Sequence, residues 1–139
     1  VYGLSAAIAI NLDIHWLGKH TLFKAPLGRF MYWLGGIPVD RNNPVGVARS
    51  VADRMLAADS MALIVTPEGT RGRVARWKTG FLRIAAMAQA ELVVTTIDFA
   101  SRTIRLGTVF NPGEDHAADI ARIQAEFARV SPRNPANYR

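Results

Sequence analysis

The sequence of 139 residues contains no cysteine. This absence excludes a disulfide framework and a thiolate metal site, so packing has to hold the fold together. Long apolar runs are missing too. The longest, "LSAAIAI" at 4–10, is soon followed by Asn11 and Asp13 and is far shorter than the roughly 20 residues that span a bilayer. No transmembrane helix is therefore expected within these residues.

The composition is that of a globular protein with a basic surface. Half of the residues are apolar and 20% are charged, which predicts one domain over 1–130 and a C-terminal extension over 131–139, where "SPRNPANYR" has no apolar period. Seventeen Lys and Arg against eleven Asp and Glu give a net charge of +6. This balance favours nucleic acid, anionic lipid or a phosphorylated small molecule as partner.

Apolar periodicity predicts helices and strands in alternation. Helical spacing occurs at 2–12, 26–34, 45–58, 81–90 and 115–130, and strands are predicted at 14–17, 37–40, 61–66, 92–99 and 103–110. This order indicates an α/β fold with a mixed, mostly parallel sheet flanked by helices. The last two strands would form an antiparallel pair across the turn Ala100-Ser101-Arg102.

The stretch "TPEGTRGRVARWKTGF" at 66–81 is the first candidate site. It follows a predicted buried strand, and open α/β sheets bind ligands beyond the carboxyl ends of their strands. Gly69 permits close backbone approach, Thr70 offers a hydroxyl, and Arg71 and Lys78 are charge-assisted donors for phosphate oxygens. A phosphate-bearing ligand is one interpretation. The alternative is a solvated basic loop in which Glu68 pairs with Arg71.

The same stretch allows two nucleotide-binding interpretations. Lys78-Thr79 stands at P-loop spacing from Gly72, but Trp77 occupies the position of the second glycine, where a bulky side chain blocks the wrap around the phosphates. Stacking of bases on Trp77 and Phe81 is the second interpretation, although the same rings fit core positions equally well.

The segment "GGIPVDR" at 35–41 is the second candidate site, because Arg41 also follows the carboxyl end of a predicted strand. The alternative is a surface pair between Asp40 and Arg41. His15, His20 and His116 are the possible general bases. His15 and His20 flank "WLGK", and a strand histidine near an apolar run is more often a packed or partly exposed residue, while His116 stands at a predicted helix start with no other motif nearby. No His and carboxylate spacing is that of a metal site, so no metal is predicted.

Three motifs in order resemble the glycerophospholipid acyltransferase family, in particular the acylglycerolphosphate acyltransferases. They are "LGGIPVDR" at 34–41, "PEGTRGR" at 67–73 and "KTGF" at 78–81. "ELVVTTIDF" resembles the fourth motif, with Thr95 where proline is common. The resemblance runs from Ile14 to Phe110 and implies the glycerol-phosphate acyltransferase fold.

The resemblance implies acyl transfer from acyl-coenzyme A or acyl carrier protein to the free hydroxyl of a lysophospholipid, for example lysophosphatidate to phosphatidate. No cofactor or metal is implied. The residues carried over are phosphate-binding Arg41 and Arg71, pocket-forming Glu68, Gly69 and Thr70, and Lys78 in the lysine-glycine element.

The first motif of the family, histidine and aspartate separated by four residues, is missing. The residues five positions after the three histidines are His20, Ala25 and Ala121. The resemblance therefore places the catalytic pair just before Val1 and implies a truncated chain that is inactive alone. A non-catalytic lipid-binding relative that begins near Val1 is the alternative.

The family acts on lipids, which implies a membrane surface as partner, on the cytoplasmic face, with peripheral attachment or an anchor outside these residues. The apolar, lysine-bearing region Leu17–Leu34 is the candidate for contact with the membrane. The alternative is that its apolar residues pack in the core. A nucleic-acid partner is not expected. A basic nucleic-acid-binding domain remains as the alternative, recognised by affinity for oligonucleotides that falls steeply with salt.

Overall fold

The computed structural model describes residues 13–40, 42–67 and 77–131. The chain divides into two compact units, 1–65 and 66–139, which are considered separately. The assignment of residues 1–130 to one domain stays a prediction, and the expected helix at 2–12 lies outside the described residues. None of the described helices combines the length and apolar character needed to cross a bilayer.

The first unit contains a three-stranded parallel sheet. Its strands are β1 (Ile14–Lys19), β2 (Gly36–Val39) and β3 (Ala62–Ile64), in the order β2-β1-β3. Trp16 pairs with Gly36 on one side and with Ile64 on the other. Because all three strands are parallel, their carboxyl ends lie at one edge of the sheet. β3 is shorter than the predicted 61–66, since only three of its residues pair with β1.

Two α-helices and a 3₁₀ helix accompany this sheet. The 3₁₀ helix His20–Phe23 was not predicted. The helix α1 (Gly28–Trp33) falls within the predicted 26–34, and α2 (Pro44–Leu56) begins one residue before the predicted 45–58 and ends two residues earlier. The amphipathic α2 buries Ala48, Val51 and Ala52 and exposes polar residues on its other side. The middle of its apolar period therefore faces the interior, as helical spacing requires, whereas Val45 and Leu56 at its two ends are exposed.

Trp16 links β1 to the turn between α1 and β2. Its indole Nε1 donates to the carbonyl of Leu34 at 2.9 Å, and its backbone N donates to Gly35 at 3.1 Å. The ring of Phe23 lies 5.9 Å from that of Trp16 and 4.9 Å from that of Tyr32, measured between centroids. These contacts fix α1 and the 3₁₀ helix on the sheet.

The second unit contains an antiparallel pair and two helices. They are β4 (Leu92–Asp98), β5 (Thr103–Phe110), α3 (Gly80–Met87) and α4 (His116–Phe127). The antiparallel pairing is confirmed, but in the described part of the chain these strands form their own two-stranded sheet. A local sequence pattern predicts which strands form but does not state which long-range neighbour each one takes.

The turn from β4 to β5 is closed by Asp98. Its Oδ1 accepts hydrogen bonds from the backbone N of Ala100 at 2.9 Å and of Ser101 at 3.4 Å. Desolvation acts to raise the pKa of this carboxyl, but the hydrogen bonds from the turn outweigh it and the pKa is lowered. Arg102 completes the turn at φ 54°. The predicted turn at 100–102 is thus present.

The second unit has an aromatic core between its sheet and α4. Val94, Phe110 and Ile123 are buried there, and partly buried apolar side chains pack around them: Trp77, Phe81, Leu92 and Phe127. Asp115 caps α4 by accepting from the backbone N of Ala117 and Ala118. The cap sets where α4 begins and hence which of its residues reach the sheet.

We predict that Gly35→Ala destabilises the protein. Gly35 has φ 76°, and a Cβ there would overlap the carbonyl oxygen of Ile14. We expect a loss of more than about 1 kcal/mol in the free energy of unfolding, measured by urea denaturation. Gly80→Ala is the control, because nothing lies within 4 Å of its Cβ position. Equal stability of the two variants would contradict this account of the turn.

We also predict that Asn43→Ala loosens the start of α2. The Asn43 Oδ1 accepts from the backbone N of Gly46 at 3.0 Å, and Pro44 occupies the first helical position. Loss of this cap should cost about 1 kcal/mol in urea denaturation. Asn43→Asp retains an acceptor oxygen and should stay close to wild type. An alanine variant as stable as the aspartate variant would show that the cap contributes nothing.

Candidate functional site

The residues around Arg41 define a tight connection between β2 and α2. Arg41 itself lies outside the described residues. Asp40 Oδ1 accepts from the backbone N of Asn42 at 2.9 Å, and the Asp40 carbonyl accepts from Asn43 N at 3.3 Å. With the Asn43 cap, these bonds fix the backbone on the α2 side of Arg41. The connection therefore presents position 41 just beyond the carboxyl end of a parallel strand.

The carboxylate of Asp40 has a role that the sequence interpretation missed. The sequence suggests Asp40 only as an ion-pair partner of Arg41, whereas in the structure its carboxylate accepts a hydrogen bond within its own turn. An Asp between a strand and a helix N-cap is typical of such a turn, so its residue type and position could have predicted this hydrogen bond. Asp40 is thus a residue that shapes the connection carrying Arg41.

The basic loop is closed at its base by one backbone hydrogen bond. Glu68, Gly69, Thr70 and Arg71 lie outside the described residues, but the two ends of the loop are described. The backbone N of Lys78 donates to the carbonyl of Pro67 at 3.0 Å. The two ends of the loop therefore meet, and in the sequence the arginines between them are Arg71, Arg73 and Arg76.

Lys78 is the one predicted site residue that the structure describes. Its side chain is exposed, and it stands two positions before α3. The Thr79 side chain makes no capping bond to the helix, and the first turn contains no acidic residue. The amide groups at this helix start are therefore left without a negative side chain in the described part of the chain. The partial positive charge of these amides and the full positive charge of Lys78 both favour an anion at the start of α3.

The aromatic residues next to the loop belong to the core. The ring of Trp77 meets that of Phe127 edge-on at 5.6 Å between centroids. Phe81 packs against the same buried cluster, and both side chains are only partly exposed. Base stacking would need exposed ring faces, whereas both rings are already packed against core residues. They favour the core interpretation of Trp77 and Phe81.

The three histidines form no His-carboxylate pair at hydrogen-bond distance among the described residues. His15 Nδ1 lies 3.8 Å from Asp13 Oδ1, too far for a hydrogen bond, and the His15 side chain is 17% exposed. His20 is exposed at the start of the 3₁₀ helix. His116 begins α4 beside Asp115, whose carboxylate is committed to the helix cap. None of these arrangements resembles a general-base dyad.

A metal centre finds no support in the described segments. Across 13–40, 42–67 and 77–131, no three His, Asp or Glu side chains are grouped so that they could hold a metal ion. Two separate basic segments remain: Arg41 after β2 in the first unit, and the arginine-rich loop that ends at Lys78 in the second. Arginine and lysine side chains are suited to binding an anion, and as donors they do not accept a proton.

Comparison with known proteins shows to which family the chain is similar. The chain matches the model of the acyltransferase family over residues 2–98. It is 28% identical over 95 residues to a 1-acyl-sn-glycerol-3-phosphate acyltransferase of Limnanthes alba, and equally to the protein of that name from Limnanthes douglasii. Each alignment covers 65% of this chain and 34% of the relative, so the chain spans about a third of the length of these relatives. No solved structure matches the chain.

The resemblance carried by the three ordered motifs is confirmed by these matches, and the α/β class agrees with them. The family match takes in β1 to β4 and both segments with candidate site residues. Since it extends over more than half of the sequence, the chain belongs to the acyltransferase family.

Proposed function

We propose that this chain contributes the acceptor-binding part of an enzyme that acylates a lysophospholipid. The acyl group comes from acyl-coenzyme A or acyl carrier protein, the acceptor is lysophosphatidate, and the product is phosphatidate. The relatives named 1-acyl-sn-glycerol-3-phosphate acyltransferase support this choice of acceptor. The reaction takes place at the cytoplasmic face of a membrane, with peripheral attachment or an anchor outside these 139 residues.

The observation that carries the proposal is the closed basic loop of an acyltransferase-family chain. The hydrogen bond from Lys78 to Pro67 ties the ends of "EGTRGRVARW" together, and no acid other than Glu68 stands in it. A phosphomonoester with about two negative charges at neutral pH suits such a loop. Arg71 in this loop and Arg41 after β2 each bind the phosphate through charge-assisted hydrogen bonds.

The remaining residues of the motif shape the acceptor pocket. Gly69 lets the backbone approach the glycerol phosphate, while Glu68 and Thr70 hydrogen-bond to its polar groups. With the phosphate held, the free hydroxyl of the acceptor is directed toward the thioester, which raises its effective concentration there. Lys78 adds positive charge at the base of the loop.

The chemical step replaces a thioester by an ester. The acceptor hydroxyl oxygen forms a bond to the acyl carbonyl carbon, the carbon–sulfur bond breaks, and the hydroxyl proton passes through a base to the leaving thiolate. In the family a histidine serves as that base, held by an aspartate five positions later. These 139 residues contain no such pair. The acceptor-binding residues therefore position the substrate and do not by themselves take its proton.

The missing pair also favours a second candidate function. A relative that binds a lysophospholipid or another phosphate-bearing ligand without acylating it would need the basic loop and no histidine. Both candidates share the binding step and differ in turnover. Binding and turnover therefore have to be measured separately.

The binding step is tested by Arg71→Ala and Arg41→Ala. Each removes one charge-assisted contact to phosphate, so we expect the Kd for a short-chain lysophosphatidate, measured by calorimetry, to rise at least about tenfold. Arg54→Ala is the matched control, an exposed arginine on α2 outside the motifs. Affinities of all three variants within twofold of one another, about the scatter of such values, would overturn the proposed phosphate contacts.

The turnover step is tested with the 139-residue chain itself. Incubated with acyl-coenzyme A and lysophosphatidate, it should bind the acceptor yet release free coenzyme A no faster than a buffer blank, because the sequence supplies no His-x4-Asp base. Release can be followed with a thiol reagent, since the chain has no cysteine to interfere. Turnover at the rate of a complete family enzyme would contradict this assignment of roles.

A further inference from the structure

The segment from β1 to β2 is basic and free of acids. Between Ile14 and Val39 the sequence contains no Asp or Glu, and the exposed cations there are Lys19, Lys24 and Arg29. None of the three forms an ion pair with another described residue. Their charge is therefore available to an anionic partner, to the extent that solvent and salt leave it unscreened.

Large apolar side chains are exposed in the same segment. Trp33 is 78% exposed, Leu27 61%, and Leu22 and Phe30 51% each. Phe30 and Trp33 stack with their ring centroids 5.8 Å apart. Arg29 lies four residues before Trp33, and Leu27 three residues before Phe30, so these side chains are neighbours around α1. This short helix thus combines one exposed cation, Arg29, with two stacked aromatic rings, and Lys24 precedes it in the sequence.

These four side chains differ from those that hold the segment together. Phe23 contacts both Trp16 and Tyr32, and the Trp16 indole is bonded to the Leu34 carbonyl, while Tyr32 is itself 54% exposed. Phe30 and Trp33 take no part in these contacts. The predicted region Leu17–Leu34 therefore contains both alternatives, a packed layer and an outward surface.

We propose that this outward surface docks on an anionic phospholipid bilayer. We call it the α1 surface and define it by Leu22, Lys24, Leu27, Arg29, Phe30 and Trp33. Trp and Phe rings with leucine tips suit the boundary between headgroups and acyl chains, and the cations suit lipid phosphates. The proposal rests on the proposed function for its choice of lipid as partner, whereas the surface itself follows from exposure and charge.

Lipid fits the α1 surface better than the other anionic or apolar partners. A nucleic acid would use the cations and rings but leave Leu22 and Leu27 against water. A second copy of the chain would place Lys24 and Arg29 of one copy against a surface of the same positive charge. A bilayer with acidic headgroups satisfies the charges and the apolar tips together.

The test is flotation of the whole chain with vesicles, without substrate. Vesicles of phosphatidylcholine with about one-third phosphatidylglycerol, an anionic lipid, are compared at low salt with vesicles of phosphatidylcholine alone. We expect the chain to float with the anionic vesicles and to be released by salt. Arg29→Gln should weaken partitioning about fivefold. Leu27→Ser should weaken it about tenfold.

Two matched controls separate the α1 surface from general stickiness. Leu106→Ser removes a leucine that is 59% exposed on β5, and Arg49→Gln removes an exposed arginine on α2. Both should float like wild type. All four substituted residues are exposed in the native fold, so circular dichroism should show the same helix content in all four variants. Flotation reduced equally by test and control variants would overturn the proposal.

Three further outcomes count against lipid docking. They are failure to float with anionic vesicles at low salt, binding of an oligonucleotide in place of vesicles, and self-association without flotation that is lost in Leu27→Ser. Flotation needs neither acceptor nor turnover. A chain that fails to float but binds short-chain lysophosphatidate overturns the α1 surface alone, whereas one that floats without binding lysophosphatidate overturns the proposed function alone.

Discussion

The contacts of Trp16 are the constraint on which the first unit depends. The backbone of this residue joins β1 to both neighbouring strands, and its indole Nε1 bonds to the Leu34 carbonyl at the end of α1. Gly35 then needs a left-handed backbone, because a Cβ would meet the Ile14 carbonyl. Since β2 begins at the next residue, the same contacts set the position of β2 and the outward side of α1.

The proposed phosphate contact of Arg41 and the proposed membrane contact of the α1 surface both depend on this arrangement. β2 runs directly into the Asp40 turn, whose hydrogen bonds end at the Asn43 cap of α2. The backbone that follows position 41 is therefore fixed by hydrogen bonds, which would limit the entropy lost in the phosphate binding that we propose for Arg41. In the second unit the Lys78 to Pro67 bond does the same for the basic loop.

The sequence predicted the elements better than their partners. The helix over 45–58 was recognised because its apolar residues repeat at helical spacing, and the β4–β5 pair because turn residues separate two apolar runs. The strand order β2-β1-β3 and the separate two-stranded sheet depend on contacts between distant residues, which no local pattern contains. The 3₁₀ helix is held by Phe23 against Trp16 and Tyr32, a tertiary effect. Of the candidate site, motif order indicated the cations, but the part played by Asp40 required the structure.

The central claim is that Arg41 and the loop at 68–78 bind the phosphate of a lysophospholipid. The most direct test is a titration of the isotope-labelled chain with short-chain lysophosphatidate, following backbone amide resonances by NMR. The account predicts shifts concentrated at residues 41 and 68–78, and their absence with a monoacylglycerol of the same chain length. Equal shifts with both lipids, or shifts confined to the α1 surface, would contradict it.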